Sequence, residues 1–208
     1  MPVAVCDPNR IQQALISRKS EMFLLILVEQ MKKMLILVEN GVEDSEFIYP
    51  YYRFREEGYK MDIVAPKAKK EYIGKHGVPF TSEISPNEVN LDDYDAVIIP
   101  GGQAPDRMRI HRDLVEMVRA ANSKGKIIAA VCHGPQMLIE ADIVRGKTAT
   151  SWPSVRTDLR NAGAKVVDEP AVVDGNIVTS RSPDDLPDFC RTTIKLLATL
   201  QKDSEKDV

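Results

Sequence analysis

Cysteine is scarce in this chain, and what is missing around it excludes whole classes of site. Its three cysteines, Cys6, Cys132 and Cys190, are far apart and odd in number, and none belongs to a C-x-x-C pair. Neither a disulfide framework nor a zinc cluster is indicated, so no metal and no cofactor is expected, and a reducing cytoplasm fits. A basic surplus is also missing: the formal net charge is -3, which offers nothing for a phosphate backbone and excludes nucleic acid as a partner. Long apolar runs are absent. The most apolar stretch, Phe23 to Val28, falls far short of the ~20 residues a membrane helix needs, and no small-residue cleavage site follows it. Neither a membrane span nor a signal peptide is expected. Histidine is limited to His76, His111 and His133. None follows His133, so the Cys…His-x-Glu order of class I glutamine amidotransferases cannot be built.

What remains is the pattern of one α/β domain. With 208 residues and 43% apolar content, the chain can bury a sizeable core, and no low-complexity linker divides it. Residues 1–33 stand apart as an extension of unknown role. The pentapeptide Leu-Ile-Leu-Val-Glu occurs at Leu25 to Glu29 and again at Leu35 to Glu39, which reads as a duplicated strand, a helical arm or an upstream start. From Met34 to Leu200 short Val/Ile/Leu runs alternate with amphipathic stretches, as a mostly parallel sheet covered by helices requires. Strands are predicted at Met34 to Val38, Lys60 to Ala65, Asp95 to Ile99 and Lys126 to Val131. Helices are predicted at Glu43 to Glu57, Asp106 to Asn122 and Pro183 to Leu200, with a further one from about Ser154 to Asn161. Gly74, Gly77 and Pro79 mark a hairpin or extended loop, and Asp174-Gly175 signals a tight hairpin. Residues 201–208 read as a flexible charged tail.

Three strand ends carry unusual residues: Val38-Glu39-Asn40-Gly41, Pro100-Gly101-Gly102 and Cys132-His133-Gly134. Open α/β sheets bind ligands at the carboxyl ends of their strands, so these loops are candidates to converge. Cys132 sits where a strand runs directly into a helix, the geometry of a nucleophile elbow, and nearby helix N–H groups would favour its thiolate. The competing reading is a small buried residue that ends a core strand. Gly102 lets the backbone approach a ligand closely, and its N–H with that of His133 could form an oxyanion hole; the pair Gly101-Gly102 could equally be only a strand-ending turn. Glu43 either complements a helix dipole or faces the sulfur, where its acidity would be weakened and its proton retained. Asp106 is the most economical partner for His133, with helix capping as the alternative. His111 reads as a solvated helix residue and His76 as a loop residue with a minor claim to a ligand role.

Taken in order, Glu43-Asp44, Ile99-Pro100-Gly101-Gly102, Ala104-Pro105-Asp106, Ala130 to Pro135, Thr150-Ser151-Trp152-Pro153 and Ser180 to Leu186 resemble the DJ-1/PfpI superfamily, in particular its PfpI-type intracellular cysteine protease branch (peptidase family C56). The resemblance spans about Met34 to Leu200. It implies a flavodoxin-like three-layer α/β/α sandwich, with Cys132 as the nucleophile, Glu43 bonded to its sulfur and His133 beside it. It further implies an acid from a neighbouring subunit at the position of Asp106, where the best-known archaeal members carry Glu. Trp152 stands where relatives often have Tyr and, with Arg181, is assigned to substrate binding; the alternatives are a packing anchor for Trp152 and a surface ion pair for Arg181.

The activity expected from this resemblance is a cysteine hydrolase that attacks a peptide or other acyl carbonyl. The alternatives are glyoxalase III or deglycase chemistry on a small carbonyl substrate, or a redox-sensing stress protein or chaperone with no catalysis. The expected partner is a second copy of the chain, with dimers building a trimer or hexamer and the active site near an interface.

Overall fold

The computed structural model describes residues 32 to 204, with side chains to Leu200. The expectations placed on residues 1–31 and on 205–208 lie outside the described residues. A six-stranded sheet forms the centre, in the order β2-β1-β5-β6-β10-β9. Its strands are β1 (Lys33–Leu37), β2 (Lys60–Val64), β5 (Ala96–Ile99), β6 (Ile127–Val131), β9 (Ala171–Asp174) and β10 (Ile177–Ser180). All pairings are parallel except the one between β10 and β9. Helices α1 (Asp44–Glu56), α3 (Arg112–Ser123) and α6 (Leu186–Ser204) pack around it with the shorter α2 (Ala104–Met108), α4 (Pro135–Glu140) and α5 (Arg156–Asn161). The fold is the mixed α/β sandwich expected from the sequence.

The strands are legible because parallel strands buried on both faces must be apolar throughout. In β5 and β6 every residue is buried, as are the last four of β1. The β9–β10 hairpin also forms, turning on Gly175-Asn176, with Gly175 at φ 64° supplying the left-handed conformation such two-residue turns need. The excursion around Gly74 is a small hairpin of β3 (Glu71–Ile73) and β4 (Pro79–Thr81). The segments Thr148–Ala149 (β7) and Lys165–Val166 (β8) pair with each other in a separate two-stranded sheet.

Two expectations are corrected. The helix predicted from Asp106 to Asn122 is two helices, broken at Arg109 to His111, where His111 has extended backbone (φ -88°, ψ 100°). Ala104, Pro105 and Met108 bury one face, whereas Leu114, Val115, Met117, Val118 and Ala121 bury another. At 3.6 residues per turn these stripes are out of phase, so one straight helix could not bury both. The break leaves Ile110 78% exposed. The C-terminal helix also runs to Ser204, into the stretch read as a tail.

The strand order places the switch in connection direction at β1 and β5, since the chain leaves β1 toward β2 and returns to pair β5 on the other side. The loops after these strands are stitched together. Val42 and Gly102 form a β-bridge, Glu43 N–H donates to Gly101 O at 3.3 Å, and Gln103 N–H donates to Gly41 O at 2.8 Å. Cys132 follows β6, the next strand along.

Candidate active site

Cys132 is held in a conformation that L-residues rarely adopt, with φ 62°. Its backbone is fixed from both sides: its N–H donates to Ser180 O at 3.0 Å and its carbonyl accepts from Trp152 N–H at 2.9 Å. The turn after it requires glycine at Gly134, because a Cβ there would collide with Ile99 O. These contacts aim the thiol toward the loops after β1 and β5. It reaches a cavity of about 310 Å³ whose wall includes Glu46, Lys75, Gly102, His133 and Trp152.

The carboxyl at the sulfur belongs to Glu46, not Glu43. Glu43 caps α1 in extended backbone (φ -67°, ψ 115°) and points to the cavity rim, whereas Glu46, in the first turn of that helix, faces inward and is fully buried. Glu46 Oε2 accepts from Gly101 N–H at 2.7 Å. Its other oxygen has no hydrogen-bond partner, and the carboxyl lies beside Cys132, since a Cβ on Gly101 would come within 2.6 Å of Glu46 Oε2 and 2.8 Å of Cys132 Cβ. Burial pushes the Glu46 carboxyl up from 4.5 to about 7, against the opposite pull of Cys132 and Gly101. A signal for this existed in the sequence: Glu46 is in phase with Pro50 and Phe54, both buried on α1.

The expectation of an acidified thiol is also corrected. Burial, then the Glu46 carboxyl, pushes the Cys132 thiol well above its ordinary range, outweighing the opposite pull of the Gly102 and His133 backbone N–H groups. The helix behind the elbow, Pro135–Glu140, is too short to supply much of a dipole. Cys132 is therefore a thiol at rest beside a carboxyl that burial keeps protonated up to about pH 7. Gly102 and His133 line the same cavity as the sulfur. Gly102 has φ 74°, and a Cβ there would collide with Glu43 N and Gly41 O.

His133 Nδ1 lies 3.2 Å from Cys132 Sγ, and Nε2 lies 3.2 Å from Ser154 Oγ. Burial, then the Lys75 charge, lowers the His133 pKa. Asp106 does not meet His133 within the chain. It is exposed in the first turn of α2 and lines a different cavity with Arg109 and Ile110. Nor does it cap that helix, since the capping position is Gln103. Trp152 lines the Cys132 cavity, 41% exposed, with its ring 6.3 Å from the His133 ring and nearly parallel at 27°. Arg181 does not line it. The guanidinium is held by Asp185 at 2.8 and 3.0 Å and by Asp168 at 3.0 Å, so the ion-pair alternative describes it.

Lys75, not anticipated from the sequence, completes the rim with Glu43 and His76. Lys75 Nζ pairs with Glu43 Oε2 at 2.9 Å, and Glu43 Oε1 lies 3.3 Å from His76 Nε2. Ligand atoms of Glu43, Asp44 and His76 come within 4.8 Å of one another. The Lys75 ammonium already serves as counter-charge there, and both Asp44 oxygens accept backbone N–H groups, from His76 at 2.9 Å and Val78 at 3.2 Å. His111 caps α3, with Nε2 4.0 Å from Glu39 Oε2.

A strained cysteine elbow after a central parallel strand, beside a buried acid in a cavity that Gly102 and His133 also line, defines a cysteine-centred α/β protein. The DJ-1/PfpI family profile matches residues 32–196, and the chain belongs to that family. It is 44% identical over 165 residues to "Deglycase PfpI" of Pyrococcus furiosus, covering 79% of this chain and 99% of that one. It is 42% identical over 166 residues to YraA of Bacillus subtilis, whose name assigns it provisionally as a cysteine protease, covering 80% and 98%. Among solved structures, Drosophila melanogaster DJ-1beta superposes with a TM-score of 0.76 at 29% identity, covering 85% of this chain and 95% of that one. These likenesses support an enzyme of the PfpI type. Among the described residues no helix is long and apolar enough to cross a membrane.

Proposed function

We propose that the protein is a Cys132-dependent enzyme whose sulfur adds to a reactive carbonyl, in the manner implied by the name deglycase carried by the Pyrococcus relative. The observation that carries this reading is the buried Glu46 carboxyl set beside Cys132 in one cavity, where burial strengthens the hold of each on its proton. A carboxyl poised at about 7 can accept and return a proton near neutrality, which is the requirement for a general acid–base. As sulfur bonds to the carbonyl carbon, the thiol proton passes to ionised Glu46 and the π electrons move to oxygen, which faces the two amides. Glu46 then returns the proton to that oxygen, giving a hemithioacetal with no net gain or loss of atoms. With a 2-oxoaldehyde, the proton on the sulfur-bearing carbon moves to the neighbouring carbon and the hydroxyl proton moves to the neighbouring oxygen, which makes a thioester of a 2-hydroxy acid, and water releases that acid and free Cys132.

A second reading, peptide or ester hydrolysis, is favoured by one observation: His133 Nδ1 within 3.2 Å of the sulfur, the contact of a Cys–His dyad. Its Nε2 faces Ser154 instead of a carboxylate, so on this reading the acid comes from a second copy. Exposed Asp106 beside the exposed Ile110 is the group offered for that contact. The homo-oligomer implied by the family resemblance belongs to this proposal.

The test is to incubate wild type and Cys132→Ala with methylglyoxal and with a fluorogenic peptide, measuring lactate and fluorescence. Carbonyl addition predicts lactate from wild type alone. Lactate formation surviving in Cys132→Ala would sink the reading, and peptide turnover without lactate would favour the second.

A further inference from the structure

Of the nine residues lining the Cys132 cavity, only Lys75 carries a fixed positive charge. Its backbone is anchored. The hairpin that bears it is tied to the loop after β1 by Gly41 N–H to Ile73 O at 2.7 Å and Lys75 N–H to Val42 O at 2.8 Å. Asp44 holds the turn through the His76 and Val78 amides. The side chain beyond this fixed base is not anchored in the same way, since it is 47% exposed and, among the described residues, its ion-pair partner is Glu43 at 2.9 Å, itself 13% exposed. The pair opens to solvent on its ammonium side, where an incoming carboxylate can compete with Glu43. Glu43 would not be stranded by an exchange, because its other oxygen keeps His76 Nε2 and Ser45 Oγ, each at 3.3 Å. The Lys75 charge also reaches the chemistry, for it is felt at Glu46, Cys132 and His133.

We propose that Lys75 is the specificity-determining cation of this cavity, selecting carbonyl substrates that bear a carboxylate a few bonds from the carbonyl and exchanging Glu43 for that carboxylate on binding. The inference rests on the carbonyl-addition reading and names its substrate class. The arrangement suits such a ligand. The amides of Gly102 and His133 take the carbonyl oxygen, the Trp152 ring offers a flat apolar wall, and the ammonium at the rim balances the remote charge.

The experiment uses the full chain and two substrates of one skeleton, 2-oxopentanal and 4,5-dioxopentanoate, which differ by a terminal methyl exchanged for a carboxylate. The readout is the ratio of their kcat/KM values, so a general loss of activity cancels. Wild type is expected to prefer the acid, Lys75→Met to lower the ratio about tenfold, as befits the loss of a partly screened charge pair, and Lys75→Arg to restore most of it. Rising salt should erode the wild-type preference. A Lys75→Met ratio within about twofold of wild type, or a wild-type preference for the neutral aldehyde, overturns the inference while Cys132-dependent turnover leaves the carbonyl reading intact. Turnover of neither substrate by wild type, or undiminished turnover by Cys132→Ala, overturns both.

Discussion

The buried Glu46 carboxyl lies beside Cys132 and is pinned by Gly101 N–H at 2.7 Å. Burial keeps this acid protonated below about pH 7, and above it the carboxylate is placed to take the proton of the sulfur. This pair ties stability and chemistry to one group.

Glu46→Gln should therefore stabilise the protein at neutral and alkaline pH. The folded-state acidity of Glu46 is raised from 4.5 to about 7, so the wild type is favoured below 4.5, loses that advantage as pH climbs through about 7, and stays at the lower level above it. Across this window the wild type should fall behind the variant by on the order of 3 kcal/mol. Melting curves of both proteins between pH 4 and 9 check this, and parallel curves would contradict the assignment. The same change should remove the limb near 7 from the activity profile together with most of the turnover.

Glu43→Gln should behave differently. It removes the Lys75 partner at the rim but leaves the sulfur's acid in place, so turnover should persist and the preference for carboxylated substrates should rise. If this variant were as inactive as Glu46→Gln, the two carboxyls would have been assigned the wrong way round.

Gly101→Ala tests how tightly the site is packed. A Cβ there would lie 2.6 Å from Glu46 Oε2, 2.7 Å from His133 N and 2.8 Å from Cys132 Cβ, and all three belong to the reacting group. Overpacking of this kind costs about 1–3 kcal/mol, visible as a lower midpoint in urea. The activity loss should exceed what that destabilisation explains, because the displaced atoms are the ones that move the proton.

Asp168→Asn probes Arg181 indirectly. Asp168 bridges Arg156 at 2.7 and 3.1 Å to Arg181 at 3.0 Å. Arg156 also reaches Ser151 O at 3.5 Å, next to Trp152, and Arg181 comes just before Pro183, which also lines the cavity. The clamp thus joins two segments that supply lining residues. Asp168 is 60% exposed, so stability should scarcely change. KM should rise by roughly threefold or more with kcat less affected, since only the walls are loosened. A kcat effect as large as the KM effect would argue against a positioning role.

Much of this was legible beforehand. Strands such as Ala96–Ile99 and Ile127–Val131 are apolar at every position because both faces are covered. Chain order then puts Cys132, Gly102 and Glu43 at strand ends on one side. The α2–α3 break was hidden because each half has plausible helical spacing and only the phase between the two stripes reveals it. Which of the two acids, Glu43 or Glu46, turns inward depends on where the helix begins, and the sequence leaves that boundary open by a residue or two. Lys75 was missed because it lies far along the chain from Cys132, on a hairpin whose docking no local pattern reports.

The linear order of residues determined the layered α/β architecture and the position of the elbow cysteine, because burial on both sheet faces and tight strand-to-helix turns leave periodic and local marks. The acidity of that thiol, the identity of its proton partner and the charge at the cavity mouth were decided only by tertiary structure. Each depends on dehydration and on contacts between segments that the sequence holds far apart, and those follow from how the helices and hairpin settle on the sheet.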